Sequence, residues 1–463
     1  MVTTIAALLV GASLLAPTEN SAIIASIGQR SSHNGRYTAE VTESMPLSVG
    51  THSWTIHVAA RGARRVAHAD VAVRVWCPDS REHVRRIPSA RYLGRGDYRV
   101  DGIDFPHAGW WNVSLIIDGN AGVDSVAFNV VLPEPATTKA PVIAIVGDSA
   151  GVEITDFMVP RAVLSASGAA RVVTVAQSSA QFHMFPTPLS TRPDMTFAVF
   201  DSAFVPGATY VIVPALVDRD SPKVAAWLRA QASRGATVVS ICDGAWTVAN
   251  AGLFNGKHAT GHWHSLPDLA KRYENTVWER NSRYVTDGSI ISTTGVSASI
   301  PLSLYLVERI AGRAAADSVA AKLGVAEWGT AHHSDEYSIS KWQYTKAFVS
   351  HFAWWRHDRV AIPVRDGIDE VALALTVDAV PRTMRGEPVL SSASFVGGQG
   401  LRLFVDSASL SKGNESKVLR IPEAPSAPAA ALDSAIARLK EWYGAGAADL
   451  IAIGMEYKPA IGH

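Results

Sequence analysis

One of the two cysteines in this chain of 463 residues stands where a reactive side chain is expected. Cys242 follows the apolar run VVSI and precedes DGAWTVANAG, so it lies between a predicted strand and the start of a predicted helix. A tight turn there exposes the side chain at the carboxyl edge of a sheet, and a helix N-terminus lowers the pKa of a cysteine thiol. A buried structural cysteine fits the local sequence equally well.

The elements that must position Cys242 alternate between strand and helix. Apolar strands are predicted at PVIAIVG, ARVVTVA, TYVIVPA and ATVVSIC, and helices at VEITDFMVPRAVLSASG, SPKVAAWLRAQASRG and ASIPLSLYLVERIAGR. Strands that are apolar on both faces predict a parallel sheet covered by helices on both sides. We place this α/β domain at residues 142–325, after a proline-rich linker at 134–141.

Several motifs around Cys242 resemble the ThiJ/PfpI (DJ-one) superfamily, in the branch of isocyanide hydratases and of amidase-like domains fused to AraC-type regulators. That branch typically has Cys–(Thr/Asn/Asp)–Gly, then AGLL-G, then AT-HW; this chain has CDG, AGLFNG and ATGHW, with His262 twenty residues after Cys242. GVEITDFMVP places Asp156 at the family's carboxylate before proline, with Glu153 earlier in the same stretch. The resemblance implies a flavodoxin-like, class I glutamine-amidotransferase-like fold.

The resemblance also implies catalytic roles. Cys242 would be the nucleophile, and Asp156 would hydrogen-bond to it and steer the thiolate or pass a proton. His262 would be the general acid/base or the orienting partner. His264, two residues further on, is the alternative base.

Backbone N–H groups would complete the site implied by the resemblance. An oxyanion hole is expected from the N–H groups of Asp243 and Gly244, together with that of Ala215 after the strand TYVIVPA. Two features of the chain oppose catalytic activity. Ala215 and Leu216 stand where Gly-Gly is frequent, and the charge of Asp243 opposes thiolate formation.

Charge and composition limit the kinds of molecule that the protein is expected to bind. The chain has 42 basic and 42 acidic residues, no run of Lys or Arg, and no predicted basic helix-turn-helix pair, so we expect a small-molecule substrate or ligand and no nucleic acid. We also expect no cofactor. His332 and His333 in GTAHHSDEY are interpreted as part of a solvated loop rather than as metal ligands.

The N-terminal segment, residues 40–133, is predicted to be an all-β sandwich because its apolar residues alternate at period two. Through RYLGRGDYRVDGIDFPHAGWWNVSLII it faintly resembles FixH/YtkA-like immunoglobulin-type domains, which are typically extracytoplasmic. Cys77 and His83 are candidates for a soft copper site. We favour a structural or recognition module.

Residues 1–30 contain an apolar run of about twelve residues, which suits the core of a signal peptide better than a membrane span of roughly 20 residues. The first basic residue is Arg30. We expect a signal peptide or membrane anchor and an extracytoplasmic or membrane-anchored protein. A mis-assigned start and a cytoplasmic protein are the alternative.

The C-terminal segment, residues 360–463, begins like the α/β domain and follows a connector at 326–359. RVAIPVRDGIDEVALALTVDAVPRTMRG parallels PVIAIVGDSAGVEITDFMVPRAVLSASG, with Gly367 at the place of Gly151 and Ala372 at that of Asp156. We expect this degenerate α/β half-repeat to pack on the α/β domain, and it lacks the chemistry because no cysteine follows Cys242. A single helix is predicted at LDSAIARLKEWYGAGAADLIAIGMEY. Chance similarity is the alternative.

We therefore predict a multi-domain protein consisting of a β-sandwich, an α/β domain with a nucleophile elbow and a half-repeat. The resemblance implies a cysteine-dependent hydrolase, amidase or hydratase acting on a small amide, isocyanide or aldehyde, and dimers are usual in families of this kind. The alternative from another class is a redox or ligand sensor that uses the same pocket. Transcriptional control ranks third.

Overall fold

The computed structural model describes residues 23–24, 30–32, 34–41, 46–47, 50–60, 64–65, 69–76, 85–87, 90–106, 109–132, 140–340, 357–423 and 426–459. Nearly all of the predicted signal peptide or anchor lies outside these residues, as do Cys77, His83 and parts of the linker and connector. Among the helices that are described, none combines the length and the apolar character needed to cross a bilayer.

Two antiparallel sheets make up the N-terminal segment. Their strand orders are β2-β3-β5-β10-β9, with β6 pairing β5, and β12-β11-β7-β8; β1 and β4 form a separate pair. The strands are β1 (Ile23–Ile24), β2 (Arg30–Ser31), β3 (Tyr37–Val41), β4 (Pro46–Leu47), β5 (Gly50–Ala60), β6 (Arg64–Arg65), β7 (Asp70–Trp76), β8 (Arg85–Ile87), β9 (Arg91–Gly94), β10 (Asp97–Phe105), β11 (Gly109–Gly119) and β12 (Gly122–Leu132). Alternate residues such as Trp54, Ile56 and Val58 are buried in one shared core, as period-two patterning predicts. An immunoglobulin-type topology stays a prediction.

A second core belongs to the α/β domain, whose strands are β13 (Val142–Val146), β14 (Val152–Glu153), β15 (Arg171–Ala176), β16 (Phe182–Phe185), β17 (Leu189–Thr191), β18 (Met195–Thr196), β19 (Tyr210–Val213), β20 (Thr237–Ser240), β21 (His258–Ala259), β22 (Val277–Trp278), β23 (Tyr284–Asp287) and β24 (Ile290–Thr293). The main sheet has the order β18-β15-β13-β19-β20-β24-β23. Its pairs are parallel except for β23 with β24. Every residue of β13 is buried, as expected for a strand covered on both faces.

Helices cover this sheet and connect its strands. They are α1 (Ile154–Ser167), α2 (Phe197–Ala203), α3 (Pro222–Ser233), α4 (Gly244–Asn250), α5 (Leu266–Arg272), α6 (Ser299–Ala311) and α7 (Arg313–Leu323). Helix α1 is buried along most of its length because it packs against α6 on one side and against the C-terminal segment on the other.

The C-terminal segment repeats the opening of the α/β domain. It contains β25 (Asp358–Ile362), α8 (Glu370–Arg382), β26 (Gly386–Leu390), β27 (Ser394–Val396), β28 (Arg402–Val405), β29 (Lys417–Val418), α9 (Ala431–Tyr443) and α10 (Ala445–Gly454). Strand β25 pairs in parallel with β26 and β29, just as β13 pairs with β15 and β19. The expected single C-terminal helix is wrong, because Gly444, at φ 85° and ψ 172°, separates α9 from α10.

The two α/β segments share one hydrophobic core rather than forming separate units. A five-stranded sheet, β14-β16-β17-β28-β27, runs through both segments, and its centre is the antiparallel pair β17–β28. Helices α1 and α8 pack against each other. This arrangement brings the N-terminal end of α1 and the C-terminal end of α8 to the same edge of the main sheet as Cys242.

Candidate active site

Cys242 lies in the predicted turn between β20 and α4. Its φ is +55°, a left-handed conformation that costs a residue with a side chain roughly 1–2 kcal/mol. Only glycine fits two residues later, because a Cβ on Gly244 would lie 2.1 Å from the carbonyl oxygen of Val213. The turn is therefore held tightly against the neighbouring strand β19, in the geometry of a nucleophile elbow.

The Cys242 side chain faces a cavity of about 540 Å³ at the carboxyl edge of the parallel sheet. The cavity wall includes five of the residues predicted from the sequence, namely Ala215, Cys242, Asp243, His262 and His264. It also includes Glu153, which the sequence analysis noted beside Asp156 without giving it a role, and residues that the sequence did not single out for this site, among them Trp246, Trp263 and Arg382. Asp156 is fully buried, and its charge acts on the Cys242 thiol. The expected hydrogen bond between the two is not formed, because Asp156 Oδ1 has no hydrogen-bond partner among the described residues and Oδ2 accepts the Ala215 N–H.

A buried cluster of acids surrounds one arginine beside the cavity. Glu153 caps α1 by accepting the Asp156 N–H at 2.7 Å, and it accepts an N–H from Arg382 Nη2 at 2.8 Å. Arg382 donates to both carboxylate oxygens of Asp378, at 2.8 and 2.9 Å. Three buried carboxyl groups, those of Glu153, Asp156 and Asp378, thus share one guanidinium, which favours retention of a proton in the cluster at neutral pH.

The pKa values follow from this crowding. Burial raises the pKa of Asp156 to about 7, although the Ala215 N–H and Arg382 oppose the rise. Burial, together with the charges of Asp378 and Asp156, raises the pKa of Glu153 well above its ordinary value.

The expected lowering of the Cys242 pKa is wrong. Burial raises the thiol pKa well above its ordinary value, and the charges of Asp156, Asp243 and Glu153 raise it further. Cys242 is only 5% exposed, and α4 has only seven residues to oppose these effects. In this conformation the sulfur therefore rests as a thiol.

His262 is engaged by backbone groups rather than by Cys242. Its Nε2 lies 3.4 Å from the carbonyl oxygen of Gly454, and its Nδ1 accepts the His264 N–H at 3.3 Å. Burial lowers the pKa of His262, so the neutral ring with the proton on Nε2 satisfies both contacts. A base role for His262 requires one of these contacts to open.

Two of the three expected oxyanion donors are already in use. The Ala215 N–H donates to Asp156 Oδ2 at 3.2 Å, and the Gly244 N–H donates to the Ile241 carbonyl oxygen at 2.8 Å. The Asp243 N–H faces the Cys242 sulfur, where it favours the thiolate. Of the three, only the Asp243 N–H points toward the reacting atom.

The loop with His332 differs from its prediction. His332 is buried, and its Nε2 lies 2.9 Å from Glu456 Oε1, so it is not solvated. Glu456 Oε1 also accepts a hydrogen bond from the Ser334 hydroxyl. The charge of Glu456 raises the pKa of His262, against the larger lowering caused by burial. No group of three or more metal-ligating side chains occurs in the part of the chain that the structure describes.

Two protein-family models match parts of this chain. Residues 142–309 match the DJ-1/PfpI family model, and residues 32–115 match the YtkA-like model. The chain therefore carries a DJ-1/PfpI family domain around Cys242, which confirms the resemblance drawn from its motifs, and a YtkA-like segment before it.

Relatives of known name match parts of the α/β region. The isonitrile hydratase of Pseudomonas putida is 33% identical over 132 residues, which are 27% of this chain and 54% of that protein. The transcriptional regulator CdhR of Pseudomonas aeruginosa is 32% identical over 92 residues, 20% of this chain and 27% of the regulator. The chain thus spans about half the length of the first and about a quarter of the second. The crystal structure of Drosophila melanogaster DJ-1beta matches at a TM-score of 0.37 and 22% identity, covering 41% of this chain and all of that one.

Proposed function

We propose that the protein is a cysteine-dependent hydratase or hydrolase that acts on a small molecule with an electrophilic carbon, with an isonitrile as the first candidate and an amide or aldehyde as the others. The observation that carries the proposal is the Cys242 side chain at the elbow, facing the cavity, with the buried Asp156 acting on it at a pKa of about 7. The likeness to an isonitrile hydratase supports the choice of first candidate.

Asp156 is suited to move the proton that the thiol must lose. Its Oδ2 accepts the Ala215 N–H, whereas its Oδ1 is buried without a hydrogen-bond partner among the described residues. A carboxyl with a pKa of about 7 is half protonated near neutral pH, so it can both accept and return a proton.

The proposed reaction has two steps. The Cys242 sulfur forms a bond to the electrophilic carbon while the thiol proton passes to the substrate, directly or through Asp156, giving a thioimidate from an isonitrile. Water then attacks the same carbon, the C–S bond breaks, and a proton returns to the sulfur. The net change for an isonitrile is the addition of one water molecule to give a formamide.

The cavity limits the size and character of the substrate. About 540 Å³ is the space of a small molecule, and the side chains of Trp246 and Trp263 give the wall apolar surface. The Trp263 indole N–H donates to the Ile453 carbonyl oxygen at 3.0 Å, which fixes that ring in place. A compact apolar group attached to the reacting carbon therefore fits best.

The test is turnover of a simple alkyl isonitrile, a short amide and a small aldehyde, followed by NMR detection of the product. We expect formamide from the isonitrile, loss of turnover in Cys242→Ala, and a decrease of about 100-fold in Asp156→Asn. Cys77→Ala, which removes the other cysteine, is the matched control and keeps wild-type turnover. Turnover that survives in Cys242→Ala would show that the proposal is wrong.

A ligand sensor is the second candidate, and the occupied N–H groups of Ala215 and Gly244 favour it. A pocket with few free donors for an oxyanion can bind a small molecule without turning it over. Binding of the isonitrile or amide without product, measured by calorimetry, would support this second function.

A further inference from the structure

The two α/β segments are related as the halves of a dimer would be. Strand β25 lies 216 residues after β13, and the cap of α8, where Asp369 accepts the Ala372 N–H, lies 216 residues after the cap of α1. The second hairpin, β27–β28, meets the first, β16–β17, through the antiparallel pair β17–β28. This order is that of two copies facing each other across an approximate twofold axis.

Each α/β segment contributes an arginine that crosses this interface and pairs with an acid at the start of the other segment's long helix. Arg161 Nη1 lies 2.8 Å from Glu370 Oε2, and Arg382 Nη2 lies 2.8 Å from Glu153 Oε1. The two pairs do not occupy aligned positions, but both are largely buried and both join α1 to α8. They differ in one respect, because only Arg382 lines the cavity of Cys242.

We infer that Arg382 is a positioning residue for Cys242, supplied across the repeat interface by the segment that has no cysteine of its own. It holds Glu153 through one Nη2 contact and Asp378 through two contacts, and its Nη1 donates to the Gly454 carbonyl oxygen at 3.1 Å. The half-repeat thereby completes the site in the way that a second subunit would. The inference rests on the proposed function only in taking Cys242 as the reacting group.

Charge explains why this arginine matters for the thiol. Among the described residues, the charged and titratable groups around Cys242 come from several elements. They are Glu153 and Asp156 at the start of α1, Asp243 in the elbow, Asp378 and Arg382 on α8, His262 and His264 before α5, and Arg219 after β19. Arg382 is the buried cation among them, and its charge interacts with that of Cys242. Without it, the carboxylates would act on the sulfur uncompensated, and the thiolate would become harder to form.

The experiment measures the rate of Cys242 alkylation by iodoacetamide on the full chain, by mass spectrometry, between pH 7 and 9. Cys77 is the internal reference. Below the thiol pKa the rate follows the thiolate fraction, so a rise of one pH unit in the pKa slows alkylation tenfold. We expect Arg382→Met to react at least tenfold more slowly than wild type at pH 8, and Arg382→Lys to fall between them. The control, Arg161→Met, removes the other inter-repeat pair and should leave the rate unchanged.

Two results would overturn the inference: a rate for Arg382→Met within twofold of wild type, or an equal slowing in Arg161→Met. If Arg382→Met does not fold, Arg382→Lys decides. Its single ammonium keeps the charge but cannot hold Glu153 and Asp378 in the fork geometry. A slowing of threefold or more therefore supports the positioning role, whereas a wild-type rate would show that charge alone suffices and refutes that role. The readout needs no substrate. A shifted alkylation rate without any turnover would therefore refute the proposed function and leave this inference standing.

Discussion

Substitution of Asp156 by Asn should change how stability depends on pH. The folded protein holds the Asp156 proton to a pKa of about 7, against 3.8 for the free side chain. Below pH 4 both folded and unfolded chains are protonated, and the group contributes nothing. Between pH 4 and 7 the unfolded chain loses the proton while the folded chain keeps it, so the free energy of unfolding falls as pH rises.

The size of this effect follows from the two pKa values. A difference of about three pH units at about 1.4 kcal/mol each gives a destabilisation of about 4 kcal/mol above pH 7. For a cooperative unit of roughly 300 residues, this corresponds to about 6 °C in Tm. The amide that Asp156→Asn introduces could still accept the Ala215 N–H through its side-chain oxygen, and it carries no charge. The variant should therefore be more stable than wild type at pH 8 and nearly equal to it at pH 4.

Thermal unfolding of wild type and Asp156→Asn at several pH values between 4 and 8 tests this. Asp201→Asn, at a surface carboxylate that pairs with Arg234, is the control and should follow the wild-type curve. The same Asp156→Asn variant should alkylate at Cys242 faster, because a negative charge is removed, yet turn over substrate more slowly. A variant that keeps the wild-type slope of Tm with pH would refute the buried, proton-holding role of Asp156.

Three further substitutions test the geometry of the site. Gly244→Ala should destabilise the fold by about 3 kcal/mol or prevent folding, because its Cβ would meet the Val213 carbonyl oxygen, and chemical denaturation measures this. Cys242→Gly should be about 1 kcal/mol more stable than Cys242→Ala by the same measurement, because glycine relieves the positive φ; equal stabilities would show that the turn is unstrained. Glu456→Gln should lower the free energy of unfolding by about 2–4 kcal/mol, because it weakens the hydrogen bond with His332. This loss should become smaller in acid, since the contact with His332 helps to hold the Glu456 pKa below its ordinary value. A loss that stays constant down to pH 3 would contradict the last prediction.

The sequence carried enough local information to predict the elbow and the parallel sheet. Doubly apolar strands, the small residues after Cys242 and the spacing to His262 are short-range patterns. In the structure these strands form the main sheet, and Cys242 and His262 line one cavity at its carboxyl edge. The thiol pKa could not be predicted in the same way. It depends on burial and on three carboxylates whose distances to the sulfur are set by packing, so the local argument from a helix N-terminus gave the wrong direction.

Contacts between the two α/β segments could not be predicted from the sequence, for the same reason. Arg382 lies 229 residues after Glu153, and nothing in its local sequence distinguishes it from other arginines of the chain. The internal repeat was the one available indication, since it predicted that the C-terminal segment packs on the domain with Cys242. It predicted the interface, but not which side chains cross it or which of the two sides faces the cavity.

The repeat also explains why the two α/β segments differ at one equivalent position near His262. Gly324 and Glu456 each lie twelve residues after an equivalent glycine, Gly312 or Gly444, and both have a left-handed backbone, at φ 75° and 52°. In the first repeat a side chain is excluded, because a Cβ on Gly324 would lie 2.3 Å from the Cβ of Ala427.

The corresponding position in the second repeat accepts a carboxylate. Gly295, which lies 132 residues before Ala427, lacks the Cβ that would meet Glu456, and its N–H donates to Glu456 Oε2. A glutamate in this conformation costs about 1–2 kcal/mol, which hydrogen bonds from Gly295, His332 and Ser334 offset. The two repeats thus keep the same backbone, and two glycines of the first repeat, Gly295 and Gly324, decide which side has a buried carboxylate near His262.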